Sequence, residues 1–235
     1  MLARTRAAEP SRDGPHLVVG EHVAMTSAST SGVRLFERRP PVHCVLVGRV
    51  RLHVEGGTHA SPGAIAVPAN TLHRLSLDGE HACVAYLDPR RFRFEDAARL
   101  AERWRSFVPG HDDLREAVGD ATGIPPRGVD PRLAVALEAL EDPLTTVAES
   151  ASRARLSESR LTHLMTETLG APPRTWRAWL RLQRAIQASV FGGFNLTEAA
   201  HGAGFADSAH LTRTCKQLTG VRPAQMMPKT VVVVA

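Results

Sequence analysis

Arg174, Arg177, Arg181 and Arg184 recur at spacings of three, four and three in the stretch PPRTWRAWLRLQRAIQASVF. On a helix this spacing gathers four guanidiniums on one face, and forked, permanently charged donors suit phosphate. The same stripe also suits a plain solvated face, so its meaning depends on what flanks it. The other reactive side chains are fewer. Cys44, Cys83 and Cys215 are odd in number and form no Cys-x-x-Cys pair, which argues against zinc, a redox dithiol or a disulfide framework and for a reducing compartment. Exposed, Cys44 and Cys83 would be open to oxidation; on strands, free cysteines are usually buried packing.

The whole chain has 235 residues, 43% hydrophobic and 23% charged, a composition that fits one large or two small globular domains and excludes disorder throughout. The first 25 residues hold no apolar run suited to a signal sequence, and nothing reaches the ~20 apolar residues of a membrane span. A cytoplasmic protein with no membrane partner is therefore expected. The net charge of +5 rests on 27 Arg and 2 Lys, an arginine habit that by itself says little. Its distribution says more. Residues 1–142 carry 18 Arg against 19 acidic residues, whereas residues 143–235 carry 11 basic against 5 acidic, as expected if only the C-terminal portion meets phosphate.

The elements that must position these groups change character along the chain. Residues 1–15 read as a mobile arm. From about Leu17 to Pro89 come short β-type runs, VHCVLVG, RVRLHVEGG, GAIAVPAN, HRLSLDG and HACVAYLD, with turns expected at Gly48, Gly56-Gly57, Pro62-Gly63 and Asp78-Gly79. Such runs suggest an antiparallel barrel or sandwich. Leu100, Trp104 and Phe107 mark a helix between Phe92 and Phe107, and Asp130-Pro131 opens another through Glu141. GDATGIPPRG between them reads as a loop. The two helices suit either a dimer contact or packing against the barrel's open end. The tail PKTVVVVA suits an edge strand or disorder, and is too short for a membrane anchor.

Beyond Pro143 the chain is helical and repeats itself. Thr146 and Glu149 match Asn195 and Glu198, both pairs at capping-box spacing, and Ala151 and Leu156 match Ala200 and Phe205 at the same offset of 49. After one extra residue, Leu161, Met165 and Gly170 match Leu211, Cys215 and Gly220 at an offset of 50. Each copy is a short helix, a tight turn and a second helix, the pattern of a helix-turn-helix. The arginine-bearing stretch between them, opened by Pro173 and closed by Gly192-Gly193, is a helix about 27 Å long at ~1.5 Å per residue. A rigid linker of that length holds two helices near the ~34 Å spacing of successive major grooves.

Residues 143–227 resemble the DNA-binding region of the AraC/XylS family of bacterial transcription regulators. The second copy, LTEAAHGAGFADSAHLTRTCKQLTGVRPAQM, is similar throughout to the family signature, with the Gly204-Phe205 turn, Asp207, Gly220 and Pro223 in place. The first copy departs at Arg155, where the family commonly has a turn glycine. Met165 and Cys215 replace common aromatics. The resemblance implies that both second helices enter the major groove, with Ser159, Thr162 and His163 facing bases in the first and Ser208, Ala209, Thr212 and Arg213 in the second. Arg213 suits guanine O6 and N7 bidentately. Arg160, Arg174, Arg177, Arg181, His210 and Lys216 are the phosphate candidates.

Residues 17–90 are also similar to the cupin-like sensor domain of many family members, with Gly63, Pro68 and His73 in GAIAVPANTLH following the order of the second cupin motif. VRLFERRPP lacks the histidines of a first motif, so no metal, no cofactor and no enzyme activity are expected; His43, His53 and His73 are left as effector-pocket candidates. The expected fold class is a two-domain α+β chain: an N-terminal antiparallel cupin-like β-barrel followed by helices, then an all-α domain of two helix-turn-helix units joined by a linker helix. The expected boundaries are arm 1–15, sensor 16–110, linker and helix 111–142, DNA-binding domain 143–228 and tail 229–235. Expected partners are double-stranded promoter DNA, a small-molecule effector, RNA polymerase for an activator, and a second copy in a homodimer. The alternatives are a cupin metalloenzyme fused to a DNA-binding domain, and a regulator whose N-terminal domain only dimerises.

Overall fold

A computed structural model describes residues 16–19, 22–29, 36–61, 63–107, 111–226 and 230–233; the expected arm 1–15 lies outside them. Seven strands come first: β1 (His16–Val19), β2 (Val23–Ser29), β3 (Phe36–Arg38), β4 (His43–Val54), β5 (Gly57–Ser61), β6 (Ala64–Val67) and β7 (His73–Leu87). The turns expected at Gly48 and at Asp78-Gly79 do not form. VHCVLVG and RVRLHV fuse into β4, and HRLSL and HACVAYL fuse into β7. The two long strands pair with each other, and a register shift between Gly48 and Val50 absorbs the residues that read as a turn. Gly48, at φ 117°, bends β4 there without ending it. The Gly56-Gly57 hairpin forms as expected, with Gly56 at φ +96°.

The two halves of each long strand take different neighbours. β6 and β5 pair with the first and second halves of β4, while β3 and β2 pair with the first and second halves of β7. The resulting sheet is bent but open: its order, β5-β4-β7-β2-β1-β8, has two ends, and the expected closure into a barrel is not seen among the described residues. β8 (Thr230–Val233) lies parallel to β1, so the tail adds an edge strand.

Alternation along β4 divides its side chains between two cores. Val45 and Val47, with Met25, Cys83, Ala85 and Leu87, pack against α1 (Phe94–Arg103), the 3-10 turn Trp104–Ser106 and α2 (His111–Thr122). α2 corrects the reading of GDATG as loop. Leu114, Ala117, Val118 and Ala121, three and four apart, are all buried, a helical period that carries the chain to Thr122 before the loop begins. Gly63 reads as a turn residue but is needed for contact: a Cβ there would collide with the Arg105 carbonyl oxygen.

The opposite face, Cys44, Leu46, Val50, Leu52, Leu75 and Tyr86, joins one continuous core with the C-terminal helices. These are α3 (Pro131–Glu141), α4 (Val147–Arg153), α5 (Glu158–Leu169), α6 (Pro173–Phe191), α7 (Leu196–Gly202), α8 (Ser208–Thr219) and α9 (Pro223–Met226). α3 therefore belongs to the helical region. Its Leu133, Ala136, Leu137 and Leu140 are buried there, and Ser150 Oγ donates to the Ala136 carbonyl at 2.8 Å. α1 packs on β4 and β6 and α3 on α4, while Val135 of α3 stays exposed. Among the described residues no helix is long and apolar enough to cross a membrane.

Candidate nucleic-acid interface

The internal repeat is reproduced element by element. α4 and α7 start 49 residues apart, α5 and α8 start 50 apart, and the extra residue falls in the second turn. Both capping boxes are made. Thr146 Oγ1 accepts from Glu149 N at 3.2 Å and Glu149 Oε2 accepts from Thr146 N at 2.7 Å. Asn195 Oδ1 accepts from Glu198 N, and Glu198 Oε2 from Asn195 N, both at 3.0 Å. Ser157 and Asp207 cap α5 and α8 through Arg160 N at 3.2 Å and His210 N at 2.6 Å. That last bond, from a backbone amide, holds the Asp207 carboxyl below the usual range even against its slight desolvation. Gly170 and Gly220, at φ 78° and 80°, end the second helices in the left-handed conformation that glycine reaches without strain. The Arg155 departure has a geometric signature. Its φ is +54°, the same left-handed region as Gly204 at +79°, so the first turn keeps the glycine conformation with a side chain in place.

On α5 the residues expected to face bases are exposed: Ser159, Thr162 and His163, with Arg160 beside them. His163 Nε2 lies 3.1 Å from Glu167 Oε1 one turn on. On α8, Ala209 and Arg213 are exposed while Ser208 and Thr212 are half-buried, with Thr212 Oγ1 donating to the Ser208 carbonyl at 2.8 Å. Lys216 is exposed. His210 is half-buried and turns edge-on to Phe205, 5.2 Å between centroids. Leu161, Leu164 and Met165 on one helix and Leu211, Cys215 and Leu218 on the other are buried, so each second helix has one face committed to the core and one free.

The arginine stripe divides. Only Arg174 is exposed. Arg177 Nη2 and Arg181 Nη2 donate to the Pro143 carbonyl at 3.2 and 2.6 Å, and Arg184 Nη2 donates to that of Glu141. Glu141 ends α3, whose last carbonyls have no intrahelical donors and whose dipole favours cations. Three of the four arginines thus cap the junction between α3 and α4.

The three histidines proposed for an effector pocket have protein partners. His43 Nδ1 accepts from Ala69 N at 3.0 Å. His73 Nδ1 donates to the Thr71 carbonyl at 2.8 Å, and its Nε2 accepts from Arg38 Nε at 2.8 Å. Burial first, then the charges of Arg127 and Arg38 respectively, lower both imidazoles to about 4. His53 hydrogen-bonds with Thr58 Oγ1 at 2.9 Å and Ser76 Oγ at 3.2 Å. None of the three lines the cavity of ≈270 Å³ between the sheet and α6, where Val23, Val42 and Tyr86 face Trp179, Leu182 and Ile186, with Asp88 and Arg90 among its polar groups. Arg90 is bound to Asp88 at 2.7 Å and Glu141 at 2.8 Å and lies over the Trp176 ring. Burial pushes the Asp88 carboxyl up, but bonds from His22 and Arg90 outweigh it and hold it below the usual range. The residues here were not singled out from the sequence, because a site between two elements about 90 positions apart leaves no local spacing. Arg38 has a different reason to be silent in sequence: in VRLFERRPP only a histidine would mark a cupin ligand. Arg38 is 4% exposed, and it contacts Tyr86 Oη at 3.4 Å as well as His73.

Residues 150–228 match the family model described as a helix-turn-helix domain. With the two capped helix pairs, the glycine-ended second helices and the connecting α6 already in place, this match identifies the domain. Residues 150–228 are an AraC-type helix-turn-helix domain. An AraC-type DNA-binding domain implies a role in transcription regulation. The whole fold is similar to that of solved structures of ToxT from Vibrio cholerae. One, with 13% identity and a TM-score of 0.58, is covered 100% and spans 89% of this chain. A second, ToxT from strain SCE256 bound to an unsaturated fatty acid, shares 12% identity with a TM-score of 0.59 and coverage of 89% of this chain and 96% of that one. A third is ToxT from strain O395 bound to (E)-4-(8-methylnaphthalen-1-yl)but-3-enoic acid, with 12% identity, a TM-score of 0.57 and coverage of 88% and 98%. At these identities the likeness is one of fold: an N-terminal antiparallel sheet with a helical AraC-type region. No curated protein matches the chain.

Proposed function

We propose that this AraC-type protein is a sequence-specific DNA-binding transcription regulator whose helix pairs α4/α5 and α7/α8 are two helix-turn-helix units, each presenting its second helix to a major groove. The observation that carries the reading is the pair of uncommitted faces on α5 and α8, at matching places of a repeat joined by one rigid helix. Arg213 is the principal base reader, since its guanidinium has no carboxylate within ion-pair distance among the described residues. Arg160, Arg174 and Lys216 are the exposed phosphate contacts.

The signal enters between the sheet and α6. The apolar walls of that cavity fit a small, mainly apolar effector, the same broad chemistry as the two acids named for the ToxT structures. Filling it would press on Trp179 and so on the helix that spaces the two reading helices.

The test uses the full chain, because its core is shared between sheet and helices and a 143–235 fragment would expose it. Affinity is measured for the duplex upstream of the chain's own gene and for random duplex at matched salt. Preference for the former is expected, and Arg213→Ala should reduce that preference while Arg174→Gln weakens both duplexes alike and lowers the salt slope by about one. Equal affinity for both duplexes would sink sequence-specific recognition.

A further inference from the structure

The Pro143 carbonyl is shared by two cations. Arg177 and Arg181 both donate to it through Nη2, and the Nε of each is buried with no hydrogen-bond partner among the described residues. No carboxylate pairs with Arg174, Arg177 or Arg181 among those residues. Two like charges side by side and partly withdrawn from water are costly unless compensated, and here the chain supplies one neutral oxygen for both.

These arginines line a cleft of ≈350 Å³ between the two helix pairs. Its other walls are Thr146 and Glu158 from the first pair, and Phe205, His210 and Thr214 from the second. Arg181 reaches both copies of the repeat. At Gly204 an added Cβ would stand 3.3 Å from Arg181 Nε and 3.3 Å from Pro143, so the missing side chain is what lets the guanidinium lie against the second turn. A cleft with three guanidiniums and one acid, Glu158, and room for several water-sized groups at ~30 Å³ each, is matched by a compact oxyanion with more acceptors than one carbonyl offers.

We propose that this cleft binds a phosphate group, held mainly by Arg177 and Arg181, and that its occupant fixes the placement of one helix pair relative to the other. Forked guanidinium donors fit the oxygen pairs of a phosphate. The group comes either from the duplex backbone, as a phosphodiester, or from a free phosphate-bearing small molecule. The site requires only the chemistry the two share.

The full chain is titrated with inorganic phosphate, against sodium chloride at matched ionic strength, by calorimetry and by thermal melting. Saturable binding and a higher Tm are expected with phosphate only. Arg177→Gln and Arg181→Gln should each weaken phosphate binding about tenfold or more, as expected on losing a charged hydrogen bond, and Arg181→Lys should restore part of it. Glu158→Gln, which leaves the Pro143 contacts intact, should tighten binding, and it decides the matter where a Gln variant fails to fold by circular dichroism. No saturable phosphate binding, or the same affinity across the arginine variants and Glu158→Gln, overturns the proposal. The source is read from duplex binding with and without saturating phosphate. Competition that disappears in Arg181→Gln assigns the site to the DNA backbone, and undiminished duplex binding assigns it to a free phosphate compound. The phosphate arm contains no DNA, so its result stands apart from the DNA-reading proposal.

Discussion

Tyr86 of β7 and Trp179 of α6 meet ring to ring, 5.5 Å between centroids and tilted by 46°. This contact stands where the sheet and the helix joining the two helix pairs share a core, and aromatic pairs of this geometry are worth ~0.5–1.5 kcal/mol beyond their burial. Arg39 N donates to the Gln217 carbonyl at 3.2 Å, and Ala69 Cβ lies 3.2 Å from where a Cβ on Gly170 would be. With the β1/β8 pairing, these contacts tie the sheet to both second helices and to the tail.

Trp179→Ala should destabilise the chain by about 3–5 kcal/mol, as expected for deleting a buried aromatic. Because the deletion falls between the halves, the single calorimetric transition expected of the parent should broaden or split. A variant that melts in one transition at the parental temperature would show that the shared core does not couple them.

Acid should destabilise the fold through His43 and His73. Burial chiefly, with Arg127 beside one and Arg38 beside the other, lowers both from 6.5 to about 4. The unfolded chain takes up protons below 6.5 and the native chain does not until about 4, so stability is full above 6.5 and falls as pH drops through that window. Each histidine contributes up to about 3 kcal/mol of this loss at one pKa unit per 1.36 kcal/mol. Urea midpoints across the window test it, and replacing either histidine with glutamine should remove about half of the slope.

The two turns predict opposite effects. Arg155→Gly relieves a side chain held at φ +54° and should stabilise by about 1 kcal/mol after the greater freedom of unfolded glycine is allowed for. Gly204→Ala, at φ +79° and against Pro143 and Arg181, should destabilise by about 1–2 kcal/mol. Denaturant melts of the two variants decide the sign at each turn.

Cys44, Cys83 and Cys215 are all buried, and burial raises the thiols of Cys44 and Cys215 to about 11. Since only the thiolate reacts readily, iodoacetamide should leave the native chain unlabelled and modify all three cysteines in denaturant. Labelling of Cys215 in the native state would reveal opening between α8 and its core.

The repeat, its caps and the connecting helix were legible in the sequence to within a residue or two. Each is set by neighbours three or four positions apart, such as Thr146 with Glu149, Asn195 with Glu198, and Pro173 at the first turn of α6. Periodicity also marks α2, in Leu114, Ala117, Val118 and Ala121, against the loop that the glycines and prolines nearby favour. In β4 and β7 the glycines suggested turns that cross-strand pairing overrode.

What the sequence determined alone was therefore local: helix ends, turn conformations, the doubled unit and the charge carried by its half of the chain. The tertiary structure decided which faces that charge occupies. It turned Arg177, Arg181 and Arg184 onto the junction between α3 and α4 and left Arg174 in solvent. It left the sheet open and satisfied His43 and His73 inside the fold. It also opened a cavity between residues as distant as Val23 and Ile186. Capping and helical spacing are short-range interactions written in adjacent letters, whereas burial, sheet register and the partner of a long side chain depend on which remote surfaces come to exclude water together.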